Sequence, residues 1–308
     1  MRLSVCIPVY FGEATIGPLV KILQEEYSDL DLEVVLVNDG SKDGSARAVM
    51  DLADAYDNVT AIDLGRNFGE HNAVLCALNH CTGDYAAVID DDFQNPPAEI
   101  RKLLAEAVQG YDVVYSRYAA KRHHPLRNLG SKFNDMMATW LMRKPKNLYL
   151  SSFKLISRRT IREIIRYKGP FPYIDGLILR ATDNIASVLV DHQARTVGRS
   201  NYTLGKLISL WLNMFVNFSI RPMRVLSLAG LATAALSFAL GIYFIVDKIL
   251  HPDTPVGWAS LSTLIVFIGG IQTLALGVIG EYVGKNYLDQ NGTPQWTIRT
   301  IKTARRPS

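Results

Sequence analysis

Cysteine is scarce in this chain: Cys6, Cys76 and Cys81 are the only three in 308 residues. An odd count without metal-ligand spacing excludes a disulfide scaffold and a zinc module, and points to a reducing compartment. Charge of one sign is also in short supply. A formal net charge of +4 is too small for a nucleic-acid footprint, so no nucleic-acid partner is expected. Neither a Walker A sequence nor G-x-G-x-x-G occurs, which argues against P-loop and dinucleotide-binding folds. The first apolar run, LSVCIPVY, is broken by Pro8 and followed by FGEAT. With no small-residue cleavage site, it reads as a strand and not as a signal peptide. Internal repeats and low-complexity tracts are missing as well. What the chain has in quantity is apolar surface: 48% hydrophobic residues and a mean hydropathy of +0.09. That exceeds what an ordinary soluble enzyme carries, so part of the chain is expected to leave water.

From Leu3 to Tyr115, β-branched runs (LSVCIPV, EVVLVND, VTAIDL, YAAVIDDD, DVVYSR) alternate with helical patterns at 18–27, 45–56, 71–80 and 97–109. This alternation predicts an α/β domain with a mainly parallel sheet, its strands apolar on both faces because helices cover both. Residues 118–202 are less periodic and rich in Arg and Lys, densest in KRHHPLRNLGSK, and read as an appended acceptor-side region. Leu204 to Ile220 mixes large apolar residues with Lys206, Asn213 and Asn217. This fits an interfacial amphipathic helix or an ordinary buried one. Val225 to Val246 and Thr254 to Gly280 carry no charge, and each is long enough to span a bilayer. Arg221 and Arg224 before the first, and Lys285, Arg299, Lys302, Arg305 and Arg306 after the second, put both ends in the cytoplasm by the positive-inside rule. The expected divisions are a cytoplasmic catalytic domain (1–203), the interfacial helix (204–220), a transmembrane hairpin (221–284) and a cytoplasmic tail (285–308).

The strongest chemical signal is VIDDDFQNPP, Val88 to Pro97, ending a strand where open α/β sheets place their ligands. In extended backbone Asp90 and Asp92 share one side and Asp91 takes the other. Asp90, Asp92 and Gln94 then offer hard oxygen ligands to Mg²⁺ or Mn²⁺, ions commonly held by one or two carboxylates plus substrate phosphates. A solvated acidic loop is the alternative. At the ends of the first two strands stand Pro8, Tyr10 and Glu13, and the run Asn38-Asp39-Gly40-Ser41. A Tyr ring can stack on a base, and Asp39 can accept from a base N–H or a ribose hydroxyl. Alone, NDGSKDGS is a turn and a helix cap. None of the six histidines has ligand spacing beyond the adjacent His123 and His124, and none is assigned a catalytic role.

These motifs, with GRNFGEHNA at 65–73, the Arg-rich stretch, GRSNY and two terminal apolar helices, resemble the polyprenyl-phosphate branch of GT-A glycosyltransferase family 2. That branch includes dolichol-phosphate mannose synthase and bacterial undecaprenyl-phosphate glucosyl- and aminoarabinosyl-transferases. By resemblance Pro8, Tyr10, Glu13 and Asp39 hold the nucleobase and ribose, and Asp91 lies near the nucleotide. Asp90, Asp92 and Gln94 hold the metal and diphosphate, and Asp92 is also placed among the catalytic residues. Arg117, Arg127 and Ser131 grip the lipid phosphate, as Arg forks and a hydroxyl donor suit. Arg195 neutralises the donor diphosphate, with Arg199 a nearby cation. The resemblance also implies a nucleotide sugar and polyprenyl phosphate as substrates, a lipid bilayer as partner, and a homotetramer in the inner membrane.

One position departs from the family pattern: Tyr149 stands where members often carry Asp, ahead of Phe153-Lys154-Leu155. Asp175 reads either as a substitute catalytic carboxylate or as a helix-start residue favouring the dipole. A strong base is dispensable, because a phosphate monoester has a second pKa near ~6 and is largely ionised at pH 7. Direct displacement with inversion is therefore expected. The rivals are a processive polysaccharide synthase, whose Q-x-x-R-W motif Gln295 to Arg299 does not match, and a catalytically silent membrane assembly partner.

Overall fold

The computed structural model describes residues 1–118, 139, 144–145, 148–191, 193, 221–250 and 257–304. It divides into two compact units, Met1–Thr203 with Thr293–Ser308, and Leu204–Gly292. In the first unit the elements run β1 (Arg2–Val9), α1 (Ile16–Glu26), β2 (Asp31–Asn38), α2 (Ser45–Ala55), β3 (Val59–Leu64), α3 (Glu70–His80) and β4 (Tyr85–Val88). A 3-10 turn (Pro97–Glu99), α4 (Ile100–Ala107), β5 (Val113–Tyr118), β6 (Lys154–Ser157), α5 (Arg158–Ile164), α6 (Ile174–Ala181) and β7 (Ile185–Val190) follow. After the second unit the chain returns as β8 (Ile298–Lys302).

The eight strands form one sheet in the order β7-β5-β6-β4-β1-β2-β3-β8. Strands β1 to β4 are mutually parallel, as is β5 with β7, whereas β6 runs antiparallel to β4 and β5, and β8 antiparallel to β3. The apolar runs are buried on both faces: every residue of β3, and Leu32 to Asn38 of β2, is buried. Helix α1 shows how the cover is written, since Ile16, Leu19, Val20 and Leu23 repeat at helical spacing and all four are buried.

Three boundaries differ from the sequence reading. Strand β4 stops at Val88 and the aspartates lie in the turn beyond it, so the strict alternation of extended backbone does not govern them. Residues 148–191, read as an appended region, supply β6, α5, α6 and β7 to the same sheet and its cover. Residues from 293 on, read as a tail, belong to the catalytic unit through β8. Both misreadings share a cause: a short strand with a partly exposed face, such as β7, carries little periodic signal of its own.

The second unit consists of two long helices, α7 (Arg221–Leu250) and α8 (Trp258–Gln290). Large apolar side chains point outward along both, including Leu228, Phe238 and Ile249 on α7 and Phe267, Leu274 and Leu276 on α8. Among the described residues Phe267–Gln290 is long and apolar enough to cross a bilayer, while the apolar stretch of α7, Leu226–Leu240, is shorter. The interfacial helix expected at 204–220 lies outside the described residues.

Candidate active site

Strand register brings three loops to one edge of the sheet. Val9 at the end of β1 pairs with Asn38 at the end of β2. On the other side of β1, Cys6 pairs with Val88, and the Ile89 amide donates to the Cys6 carbonyl at 3.2 Å. Asp90 to Gln94 therefore emerge beside Pro8 to Gly12, with Asn38 to Ser41 on the far side of β1. This is the carboxyl edge, where parallel α/β sheets hold ligands.

Each loop is held by specific contacts. The Phe11 amide donates to Ser41 Oγ at 3.1 Å, the Gly12 amide to Ser45 Oγ at 2.9 Å, and the Gly44 amide to Glu13 Oε2 at 2.9 Å. Tyr10 is exposed and sets its ring edge-on to Phe11, with centroids 4.6 Å apart. Gly12 permits the close approach of this loop to the acidic one, since a Cβ there would fall 1.9 Å from Asp91 Oδ2. Phe11 and Phe93 have φ of 57° and 58°, the two non-glycine residues with positive φ among those described. Such backbone costs about 1–2 kcal/mol per residue and collects at functional sites; here one strained residue sits in each of the two facing loops.

Asp39 is 3% exposed and accepts from the amides of Phe68 at 2.7 Å and Gly69 at 2.9 Å. Burial raises its pKa against the pull of those two donors. The aspartate read as a base and ribose acceptor thus anchors the GRNFG loop as well, and one lone pair on each oxygen is left for a ligand. Next to it Gly40, at φ 61°, lies against backbone: an added Cβ would meet Arg66 C at 2.3 Å and Asn67 N at 2.5 Å. Gly40→Ala should therefore lower stability by at least about 1–2 kcal/mol, read as a drop in melting temperature.

Asp90, Asp91, Asp92 and Gln94 are all half-buried. Ser152 Oγ donates to Asp90 Oδ2 at 2.7 Å, and the Gln94 amide to Asp92 Oδ1 at 3.1 Å. Desolvation, with Glu70 and Asp92 nearby, lifts the Asp90 pKa to about 7 despite the Ser152 bond and the Lys154 charge. At the start of α3, desolvation of the Glu70 carboxyl raises its pKa against the Lys154 charge, with Asp175, Asp92 and Asp39 adding to the effect. Among the described residues no three His, Cys, Asp or Glu side chains converge in metal-ligating geometry. As a donor set, two carboxylates and an amide suit a divalent ion that takes its remaining ligands from phosphate or water.

Behind the acidic loop lies a buried charge pair. Lys154 Nζ bonds Asp175 Oδ1, and both residues are buried, at 3% and 6% exposure. Tyr115 Oη donates to the same carboxylate oxygen at 2.8 Å, and its ring lies 5.2 Å from Lys154 Nζ. Asp175 is therefore engaged by a cation and a phenol. His71, edge-on to Tyr173 at 4.9 Å, has its pKa pushed down to about 4 by burial. Arg117, near the end of β5, is exposed and lies opposite Leu189. Tyr149 is exposed, its ring 5.9 Å from Tyr118, whose hydroxyl donates to Asn95 Oδ1 at 2.8 Å. Arg127, Ser131, Arg195 and Arg199 lie outside the described residues.

The sequence reading did not assign Glu70, His71, Ser152 or Lys154 a role, although GRNFGEHNA and FKL contain three of them. A charged residue within a run that otherwise reads as a buried strand, as in FKLIS, was the available signal.

A mainly parallel sheet with an acidic loop just beyond its central strand, flanked by two strained or glycine-dependent loops, defines a GT-A-type transferase fold. The chain belongs to glycosyl transferase family 2, whose model matches residues 4–165. Residues 221–285 match the GtrB C-terminal hairpin. The undecaprenyl-phosphate 4-deoxy-4-formamido-L-arabinose transferase of Proteus mirabilis (strain HI4320) is 32% identical over 321 residues, spanning 100% of this chain and 96% of its own. The protein of the same name from Photorhabdus laumondii is 31% identical, spanning 97% and 94%. Among solved structures, Mycobacterium tuberculosis glucosyl-3-phosphoglycerate synthase with Mn²⁺ and UDP-glucose superposes with a TM-score of 0.50 at 19% identity, covering 68% of this chain and 74% of that one. That likeness is one of fold.

Proposed function

We propose that this glycosyltransferase moves a sugar from a nucleotide donor to a polyprenyl phosphate, undecaprenyl phosphate in a bacterium, at the cytoplasmic face of the inner membrane. The observation that carries the reading is the register that sets Val9, Asn38 and the Asp90 to Gln94 loop along one sheet edge. The full-length relatives that act on undecaprenyl phosphate support the acceptor.

Tyr10 and the backbone around Gly40 face the nucleoside, and Asp90, Asp92 and Gln94 would hold Mg²⁺ or Mn²⁺, which when bound would supply positive charge against the donor diphosphate. Arg195 adds a second positive charge there, while Arg117, Arg127 and Ser131 grip the lipid phosphate. That phosphate is already ionised at pH 7, so alignment and charge stabilisation suffice. The burial of Asp175 in its pair with Lys154 agrees with a reaction that needs no general base, and attack of the phosphate oxygen on the anomeric carbon then inverts its configuration.

Topology supports the two membrane spans. Strand β8 pairs with β3 in the same sheet as β1, so the chain re-emerges on the side it left, which takes an even number of crossings. In this reading helices α7 and α8 supply two. Assembly into a homotetramer is part of the same reading.

The test is transfer of radiolabelled sugar from a panel of UDP-, GDP- and dTDP-sugars into organic-extractable undecaprenyl phosphate with Mn²⁺ or Mg²⁺. One sugar per lipid, lost in EDTA, is the expected product. Longer glycans would instead indicate a polymerase. A folded protein that neither transfers sugar nor binds nucleotide with metal would remove the reading altogether.

A further inference from the structure

The strand that follows the second long helix reaches the donor side of the sheet through side chains as well as backbone. The Gly65 amide donates to the Thr297 carbonyl at 2.8 Å, and Arg299 Nη2 donates to the Gly65 carbonyl at 2.8 Å. Both peptide groups of Gly65 are thereby held by the C-terminal segment. Four residues on, Asp39 holds the other end of the same loop at Phe68 and Gly69. Between these two anchors, Arg66 and Asn67 lie against Gly40.

A second route starts from the same arginine. Arg299 Nη1 donates to Asp63 Oδ2 at 3.2 Å, and Asn38 Nδ2 donates to Asp63 Oδ1 at 2.6 Å. Ser41 Oγ in turn donates to Asn38 Oδ1 at 2.6 Å and accepts from the Phe11 amide at 3.1 Å. Asp63, Asn38 and Asp39 are all buried. This chain runs without a break from the C-terminal strand, across the ends of β3 and β2, to the residue whose positive φ shapes the β1 loop. A buried carboxylate that loses its cation must be compensated or rearranged, and the other oxygen of Asp63 is held by Asn38, on which Ser41 and Phe11 depend.

We infer that Arg299 is a positioning residue for the donor: by fixing Asp63 and Gly65 it sets the Phe11 and Arg66 to Gly69 loops that receive the nucleoside. The inference rests on the donor site proposed above. It means that a chain ending before Thr293 retains every residue of the acidic loop but has a loosened nucleoside pocket.

The experiment uses the full chain in detergent with Mn²⁺ and whichever of UDP, GDP and dTDP binds the wild type most tightly, with affinity measured by calorimetry and the KM of each substrate measured from initial rates. Arg299→Ala should weaken nucleoside diphosphate binding about tenfold and raise the donor KM alike, with the lipid-phosphate KM unchanged. Arg299→Lys, which keeps a cation for Asp63 but not the fork to Gly65, should fall between. Lys302→Ala is the control. It removes a charge from the same strand, paired with Asp54 on the outer helix α2, and should bind as the wild type does. Wild-type affinity in Arg299→Ala overturns the inference, and so does equal weakening in Lys302→Ala, which would show only a loosened strand. A wild type that binds none of the three nucleotides overturns the donor site and this inference together.

Discussion

Asp92→Asn should cut sugar transfer by about 10²–10³-fold, the range seen when one preorganised electrostatic contact to a reacting centre is lost, while the protein stays folded. The side chain keeps its shape, and Asn Oδ1 can still accept the Gln94 amide bond now made at 3.1 Å, so the turn has no reason to open. What disappears is the charge. Asp92 is one of the groups that hold the Asp90 pKa near 7. Without it Asp90 ionises more readily, yet in the proposed site a single carboxylate would then face the cation and diphosphate. Excess Mn²⁺ should recover little of the rate. Initial rates across a Mn²⁺ titration, with circular dichroism as the check on folding, decide it; activity within a few-fold of wild type would remove Asp92 from the site.

The second large effect is on stability. Lys154→Met should destabilise the catalytic unit by about 3–5 kcal/mol, the cost of leaving a buried charge without its partner. The Lys154 and Asp175 side chains are only 4% and 9% exposed, so water cannot replace the lost cation. The Tyr115 hydroxyl, donating at 2.8 Å, offers one neutral bond in its place. Replacing both partners at once, Lys154→Met with Asp175→Leu, should recover most of the loss, because two apolar groups of similar volume leave no buried charge. Thermal melts of the single and double variants in detergent give the comparison, and additive losses would mean that the pair does not act as a unit.

The two variants probe residues that were unequally legible. The acidic run announced itself because three adjacent aspartates at the end of a buried apolar strand are costly unless something compensates them. Lys154 was hidden in FKLIS, and its partner lies on a helix, 21 residues away, at no spacing that a periodic pattern encodes. Strands β1 to β5 were legible as continuous apolar runs because helices cover both of their faces. Strand β8 was not, since IRTIK alternates weakly and is largely exposed, and its partner β3 lies more than two hundred residues earlier in the chain, as the Arg299 to Asp63 separation of 236 shows.

From the amino-acid sequence alone came the parallel core, the acidic run, the Gly40 turn and the apolar helices, each of which rests on local pattern: strand runs, adjacent aspartates, turn residues and span length. Which charges meet could be seen in three dimensions alone. Asp39 turned out to anchor a loop, Asp175 to be held by Lys154, and Arg299 to reach Asp63 and Gly65, because a buried ion pair is made by strand order and register, and no local rule of spacing records which distant residue will supply the opposite charge.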